Sequence, residues 1–205
     1  MALGFVRPAR AEDAAEIARL QLLTWRTAYT RLIPPHILDR LDKSWLTDRW
    51  LAAVASPPTP GHHVLVAVEQ SEPGARAVGF AAIGPADDDT AAPTDPHRQE
   101  RPAGPLAAIT DLLVEPRFGR RGHGSRLLSA AMAHWSDDGF ASAWAWAFAE
   151  DPATTGFLQS AGWEFDGATR GLDMDGVVVV QRRLHVSVPE REGEVRLRST
   201  RDHEG

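Results

Sequence analysis

Leu112-Leu113-Val114-Glu115-Pro116-Arg117-Phe118-Gly119-Arg120-Arg121-Gly122-His123-Gly124-Ser125-Arg126-Leu127-Leu128 decides how this chain is read. An apolar run stops at a proline, a loop of arginines and glycines follows, and a helical pattern begins. That order builds an anion site. Glycines let the backbone approach a phosphate closely, and the first amides of a helix present N–H groups without partners. The helix dipole adds partial positive charge at the same point. From Arg117 to Arg126 the chain carries Arg117, Arg120, Arg121 and Arg126 and no acidic residue, although its net charge is -6. A basic loop in an acidic protein suits a small polyanion better than a nucleic-acid surface.

Three phosphate motifs compete for the stretch. A Walker loop needs a lysine after its last glycine, and none stands here. A dinucleotide fingerprint needs Gly-x-Gly-x-x-Gly or Ala, and Leu127 occupies the third position. The third pattern is Val-x-Pro, a basic Gly-x-Gly loop and a leucine-bearing helix. It resembles motif A of the GNAT acyltransferases (Gcn5-related N-acetyltransferases).

The resemblance continues in order along the chain. Phe5-Val6-Arg7-Pro8-Ala9, Glu12-Asp13 and Ile17-Ala18 are similar to the family's opening strand and first helix. Phe157-Leu158-Gln159-Ser160-Ala161-Gly162-Trp163 resembles its Phe-Tyr-x-x-x-Gly-Phe segment, and Gln181-Arg182-Arg183-Leu184 its final strand. Together these span most of residues 4–188. There are two departures. Gly119 stands where the family usually has Gln or Arg, leaving Arg120 and Arg121 to supply charge. Leu158 stands where the family often has a tyrosine acting as general acid, and the one tyrosine, Tyr29, is far off in sequence.

Composition limits the alternatives. At 205 residues the chain is long enough for one substantial core. With no cysteine it has no disulfide, thiolate zinc site or cysteine acyl-enzyme, and a cytoplasmic location is expected. Arg7, Arg10, Glu12 and Asp13 argue against a secretory leader. No apolar stretch is long enough to span a membrane, so neither a membrane nor a nucleic acid is an expected partner. His62-His63 and His97 lack companions at metal spacing, so no metal is expected.

The pattern of elements is mixed. Strands are expected at 5–7, 63–69, 77–83, 107–114, 142–148, 163–165 and 177–188. Helices are expected at 12–30, from Pro35, from Thr47-Asp48 through Val54, at 122–138 and at 153–161. Leu127, Leu128, Ala131 and Trp135 should face inward. Residues 84–104 should form a long mobile loop and 189–205 a charged tail after a single domain at 1–188. The layout is α+β in α/β/α layers. A central mixed, mostly antiparallel sheet of about seven strands carries helices on both faces, GNAT-like.

The resemblance implies an acyl-CoA-dependent N-acyltransferase, moving acetyl from acetyl-CoA to a small-molecule or protein amine in a ternary complex. It leaves a homodimer open. Arg120, Arg121, Gly122, His123, Gly124 and Ser125 would hold the coenzyme A pyrophosphate. Leu112, Leu113 and Val114 would pair with the pantetheine arm, an amide of Leu113 or Val114 polarising the thioester carbonyl. Glu150 and Asp151 would flank its other side. Asp111, a carboxylate inside an apolar strand, is the candidate base, unless it bonds to a neighbouring turn. Glu115 and Glu150 are alternatives. Trp25 and Tyr29 either line an acceptor pocket or pack in the core. Asp87-Asp88-Asp89 either attracts a cationic amine or is a solvated run. The rival from another class is a non-catalytic coenzyme A-binding or regulatory domain of the same fold.

Overall fold

The structure, a computed structural model, describes residues 3–71, 74–86 and 104–189. Its centre is a seven-stranded sheet of order β1-β2-β3-β4-β5-β7-β6. The strands are β1 (Leu3–Pro8), β2 (His63–Ser71), β3 (Gly74–Pro85), β4 (Leu106–Val114), β5 (Ser142–Phe148), β6 (Glu164–Met174) and β7 (Val177–Ser187). All neighbours are antiparallel except β4 and β5. The helices are α1 (Ala14–Ala28), α2 (Pro35–Arg40), α3 (Lys43–Ala55), α4 (His123–Asp137) and α5 (Pro152–Ser160).

Apolar residues sort to two cores, one on each face of the sheet. Leu127, Leu128, Ala131 and Trp135 bring α4 against Leu65, Val78, Ile109 and Ala145. Ile17, Leu20, Leu46 and Trp50 bring α1 and α3 against Val66, Phe80 and Leu113. In β5 the small residues Ala143, Ala145 and Ala147 face the α4 core. Alternation sends Trp144, Trp146 and Phe148 to the other face.

Three elements differ from expectation. α3 starts earlier than Thr47-Asp48, because Asp42 is its cap and accepts a 2.7 Å hydrogen bond from the Trp45 amide. β6 runs past Phe165 to Met174 and pairs Met174 with Val177. Asp175 and Gly176, at φ 60° and 86°, make the two-residue turn between these strands. Gly122 and Asp138 are caps of α4 and lie outside its body. The expected loop at 84–104 and the tail fall mostly on 87–103 and 190–205, outside the described residues; Gly84 and Pro85 belong to β3.

Two irregularities make the site. β4 and β5 pair only from Leu106↔Ser142 to Ile109↔Ala145, and no pairing joins them further on. β4 also has a bulge. Ala82 faces Asp111 and Ile83 faces Ile109, so Thr110 is the extra residue. Its hydroxyl donates to the Ala82 carbonyl at 3.2 Å. Ala107 and Ile109 join the α4 core, whereas Leu113 joins the α1 core and Asp111 meets Gln21 of α1. In a strand of the same residues without a bulge, Asp111 would share the face of Ile109; the bulge puts the two on opposite faces.

Candidate functional site

Two adjoining clefts open where β4 and β5 part. The larger, about 540 Å³, runs from Leu112–Val114 along the loop to Ser125 and is closed by Ala153, Thr154 and Phe157 of α5. The smaller, about 140 Å³, lies deeper, among Trp25, Asp111, Trp146, Phe148, Leu158 and Gln181. Tyr29, Leu112, Leu113, Asp151 and Thr154 line both, so the clefts share a wall.

The loop is built for a close backbone approach. Gly122 is the N-cap of α4 at φ 78°, where an L side chain is strained, and no side chain caps this helix. The amides of its first turn therefore have no side-chain acceptor. Gly124 is required by packing as well. A Cβ there would stand 3.0 Å from the Phe157 ring. Arg120, at φ 60°, takes a left-handed conformation that a non-glycine residue adopts only when held there.

The loop side chains do not all reach the cleft. Arg120, Gly122, His123, Gly124 and Ser125 line it. Arg121 is not part of the lining. Its guanidinium pairs with Glu69 at 3.0 Å and lies over the Phe118 ring. His123 is buried, and its Nε2 shares a 2.9 Å hydrogen bond with Glu69. The side chain anchors the loop to β2, and its backbone faces the cleft. The His123 ring and the Arg121 guanidinium hold the Glu69 carboxyl below its ordinary pKa.

Backbone alternation separates the three β4 residues. The Glu115 amide donates to the Val78 carbonyl at 2.8 Å, in register with Leu113↔Phe80. Antiparallel alternation then turns the Leu113 amide toward β3 and the amides of Leu112 and Val114 toward the parted edge. Of the pair Leu113 and Val114, only Val114 presents its N–H to the opening.

Asp111 sits on the floor of the smaller cleft. Gln21 donates to its Oδ1 at 3.3 Å, and the Trp50 indole donates to Gln21 at 2.8 Å. Burial pushes its carboxyl up from 3.8 to about 7, against a smaller downward pull from Arg49. Glu115 is taken up by the arginines Arg19, Arg76 and Arg117. Glu150 is exposed, and it lines neither cleft. Asp151 caps α5, accepting from the amides of Ala153 and Thr154 at 3.1 Å and from the Thr154 hydroxyl at 2.6 Å.

Tyr29 is where the fold adds most to the sequence. Its phenol is within hydrogen-bonding reach of Thr154, one turn before Leu158 on α5. Burial, then the Asp151 charge, raise its pKa to about 12. Its ring packs edge-on against Phe148 at 5.6 Å. A separation of 125 positions from Thr154 hides this meeting from any local motif. Trp25 joins it in lining the smaller cleft. Among the described residues no group of three or more His, Asp or Glu is arranged to hold a metal ion. No described helix is long and apolar enough to cross a membrane.

Comparison with known proteins agrees with this geometry. The family model described as "Acetyltransferase (GNAT) family" matches residues 19–163. YuaI of Bacillus subtilis (strain 168), an uncharacterized N-acetyltransferase, is 32% identical over 148 residues, 72% of this chain and 73% of that protein. Among solved structures, yncA of Salmonella typhimurium, a proposed acetyltransferase solved with its cofactor acetyl-CoA, superposes with a TM-score of 0.63. The identity is 19%, over 92% of this chain and 96% of that one. The ribosomal-protein-alanine N-acetyltransferase of Brucella melitensis superposes at 0.62 and 19% identity, over 89% and 99%. The parted strands, the glycine loop at a helix start and the family match over residues 19–163 converge: the chain belongs to the GNAT family of acetyltransferases.

Proposed function

We propose that the protein transfers an acetyl group from acetyl-CoA directly to a primary amine, with both substrates bound together. The continuity of the two clefts through the gap between β4 and β5 carries this reading. One cleft offers an anion loop, the other a carboxylate, and they meet at an unpaired strand edge.

Each residue has a task in this reading. The amides at the start of α4, with the Arg120 charge, hold the pyrophosphate. The open edge of β4 pairs with the peptide-like pantetheine arm, and the Val114 N–H polarises the thioester carbonyl. Asp111, held by Gln21 and raised to about 7, takes a proton from the incoming amine at neutral pH. Tyr29 stays protonated and donates toward the leaving sulfur, the task that Leu158 cannot perform. A thiol ionises near pH 8.5, so this donation helps but is not essential.

A regulatory coenzyme A-binding domain needs the loop but no carboxylate at the gap, so Asp111 favours catalysis. The test is calorimetry with acetyl-CoA and NAD, followed by thiol release with a panel of amines. Acetyl-CoA should bind and thiol should appear with at least one amine. Binding without thiol release from any amine would favour the regulatory domain. Binding of NAD alone would sink both readings.

A further inference from the structure

The smaller cleft has a composition that its place beside the thioester edge does not require. Trp25 and Tyr29 descend from α1, and Trp146 and Phe148 rise from β5. These four rings belong to two elements that do not adjoin in sequence. The cleft they line also holds two carboxylates, Asp111 and Asp151. The cleft of about 140 Å³ is the size of an apolar cavity that accepts one benzene ring, roughly 150 Å³.

Its polar atoms point the same way. The Trp146 Nε1 is buried with no hydrogen-bond partner among the described residues. The Thr24 hydroxyl, on the wall of the adjoining cleft, is buried and equally without one. Asp151 has both oxygens engaged at the start of α5. Asp111 is therefore the carboxylate placed to meet a cation.

Two guanidinium groups lie beside the Trp146 ring, that of Arg183 paired with Asp166 at 2.6 Å and that of Arg170 donating to Gln181. The Arg170 guanidinium lies 4.3 Å from the Trp146 ring centre and that of Arg183 5.6 Å. A second ammonium group would enter a small ring-lined cleft whose other carboxylate, Asp151, has its oxygens engaged, and burying a charge without a partner is costly.

From these relations we infer that the acetyl acceptor is a small primary monoamine with a flat or compact apolar body, its nitrogen at Asp111 and its body between the Trp25, Tyr29 and Phe148 rings. The inference rests on the acetyltransferase reading above. It excludes polyamines, whose second charge would be buried without a free carboxylate to meet it. It also excludes peptide N-termini, whose following residues exceed the cleft. The ammonium form is drawn to the carboxylate and to the ring faces. Asp111 removes one proton, the amine nitrogen bonds the acetyl carbon, the carbon–sulfur bond breaks, and the second nitrogen proton goes to sulfur. The ammonium and the thioester thereby give amide, free thiol and one proton to solvent.

Thiol release should be compared for benzylamine, isoamylamine, spermidine and an alanine-initiated hexapeptide at saturating acetyl-CoA. The two monoamines should exceed the other two in kcat/KM by about 100-fold or more, the scale of excluding a misfit group from a shaped site. Trp25→Ala should raise KM for benzylamine about tenfold or more, with acetyl-CoA affinity unchanged in calorimetry, because Trp25 lines the smaller cleft and not the larger. The same change should admit 1-naphthylmethylamine, a gain that misfolding cannot imitate. Turnover led by spermidine or the peptide would overturn the acceptor class and leave the transferase reading intact. No binding of acetyl-CoA would overturn both. A Trp25→Ala protein that binds acetyl-CoA yet shows unchanged benzylamine KM and no naphthyl turnover would place the acceptor elsewhere.

Discussion

His123, at the first turn of α4, and Glu69, on β2, are joined by a 2.9 Å hydrogen bond across 54 positions of sequence. With Arg121 on the other oxygen of the same carboxylate, Glu69 ties the anion loop to the sheet at two points. Glu69→Ala should therefore weaken acetyl-CoA binding although Glu69 lines neither cleft. Calorimetry with the variant, against the circular dichroism of its fold, checks this. The anchor should also loosen at low pH, since Glu69 is held ionised in the fold and protonation removes that contribution.

Gly124→Val should abolish acetyl-CoA binding. The added side chain meets the Phe157 ring at the mouth of the larger cleft. Arg121→Ala should change affinity little, because its guanidinium is turned to Glu69. The sequence alone argues for a loss of about 1–2 kcal/mol, one charge-assisted contact. Titration of both variants separates a backbone cradle from a side-chain clamp.

Gly122→Ala places a Cβ on a residue at φ 78°. The expected cost is about 1–2 kcal/mol in unfolding free energy. Urea denaturation with an unchanged slope measures it.

Asp111→Asn should lower turnover by about 10²–10⁴ and stabilise the fold at pH 8. Folding raises this carboxyl from 3.8 to about 7, so the native state binds the proton more tightly than the unfolded chain. Stability then falls as pH rises through this interval, and the amide removes that loss. Thermal melts at pH 4 and pH 8 should show a gain at pH 8 alone. A melting point that drops at both values would make Asp111 purely structural.

The kcat of the wild type, at saturating amine, should rise through an apparent pKa near 7 and then level off. No limb should appear near pH 10, because Tyr29 keeps its proton to about 12. Tyr29→Phe should lower kcat by roughly tenfold or more with little change in KM for acetyl-CoA, as loss of one proton donor at the transition state requires. An unchanged kcat would assign the protonation of sulfur to solvent.

Most of the frame was legible because its signals are local. The α4 stripe of Leu127, Leu128, Ala131 and Trp135 is read directly from period, and all four residues reach the core as expected. The loop was legible from glycine spacing. What escaped depends on distance or on backbone geometry. The β6 hairpin was obscured by Gly171 and Asp173, poor strand formers that pairing with β7 overrides. The roles of Arg121 and His123 depend on Glu69, which no motif links to them. The nearness of Tyr29 to Thr154 is tertiary in the same sense. Asp111 was legible as an oddity, a carboxylate among apolar neighbours, but its face was not.

That face is set by the register on either side of Thr110. With the bulge, β4 turns Ile109 to one core and Asp111 to the other. Side chains along this strand can be exchanged singly, each at a local cost. Its length can change at one position only. Deleting Thr110 would leave Ile109 opposite Ile83 and Asp111 opposite Ala82, still on opposite faces, in a ladder without a bulge. A residue lost between Asp111 and Val114 would instead turn the rest of the strand over. Drift in this strand should thus admit a gap at residue 110 and proceed by replacement elsewhere, a constraint of counting and not of chemistry.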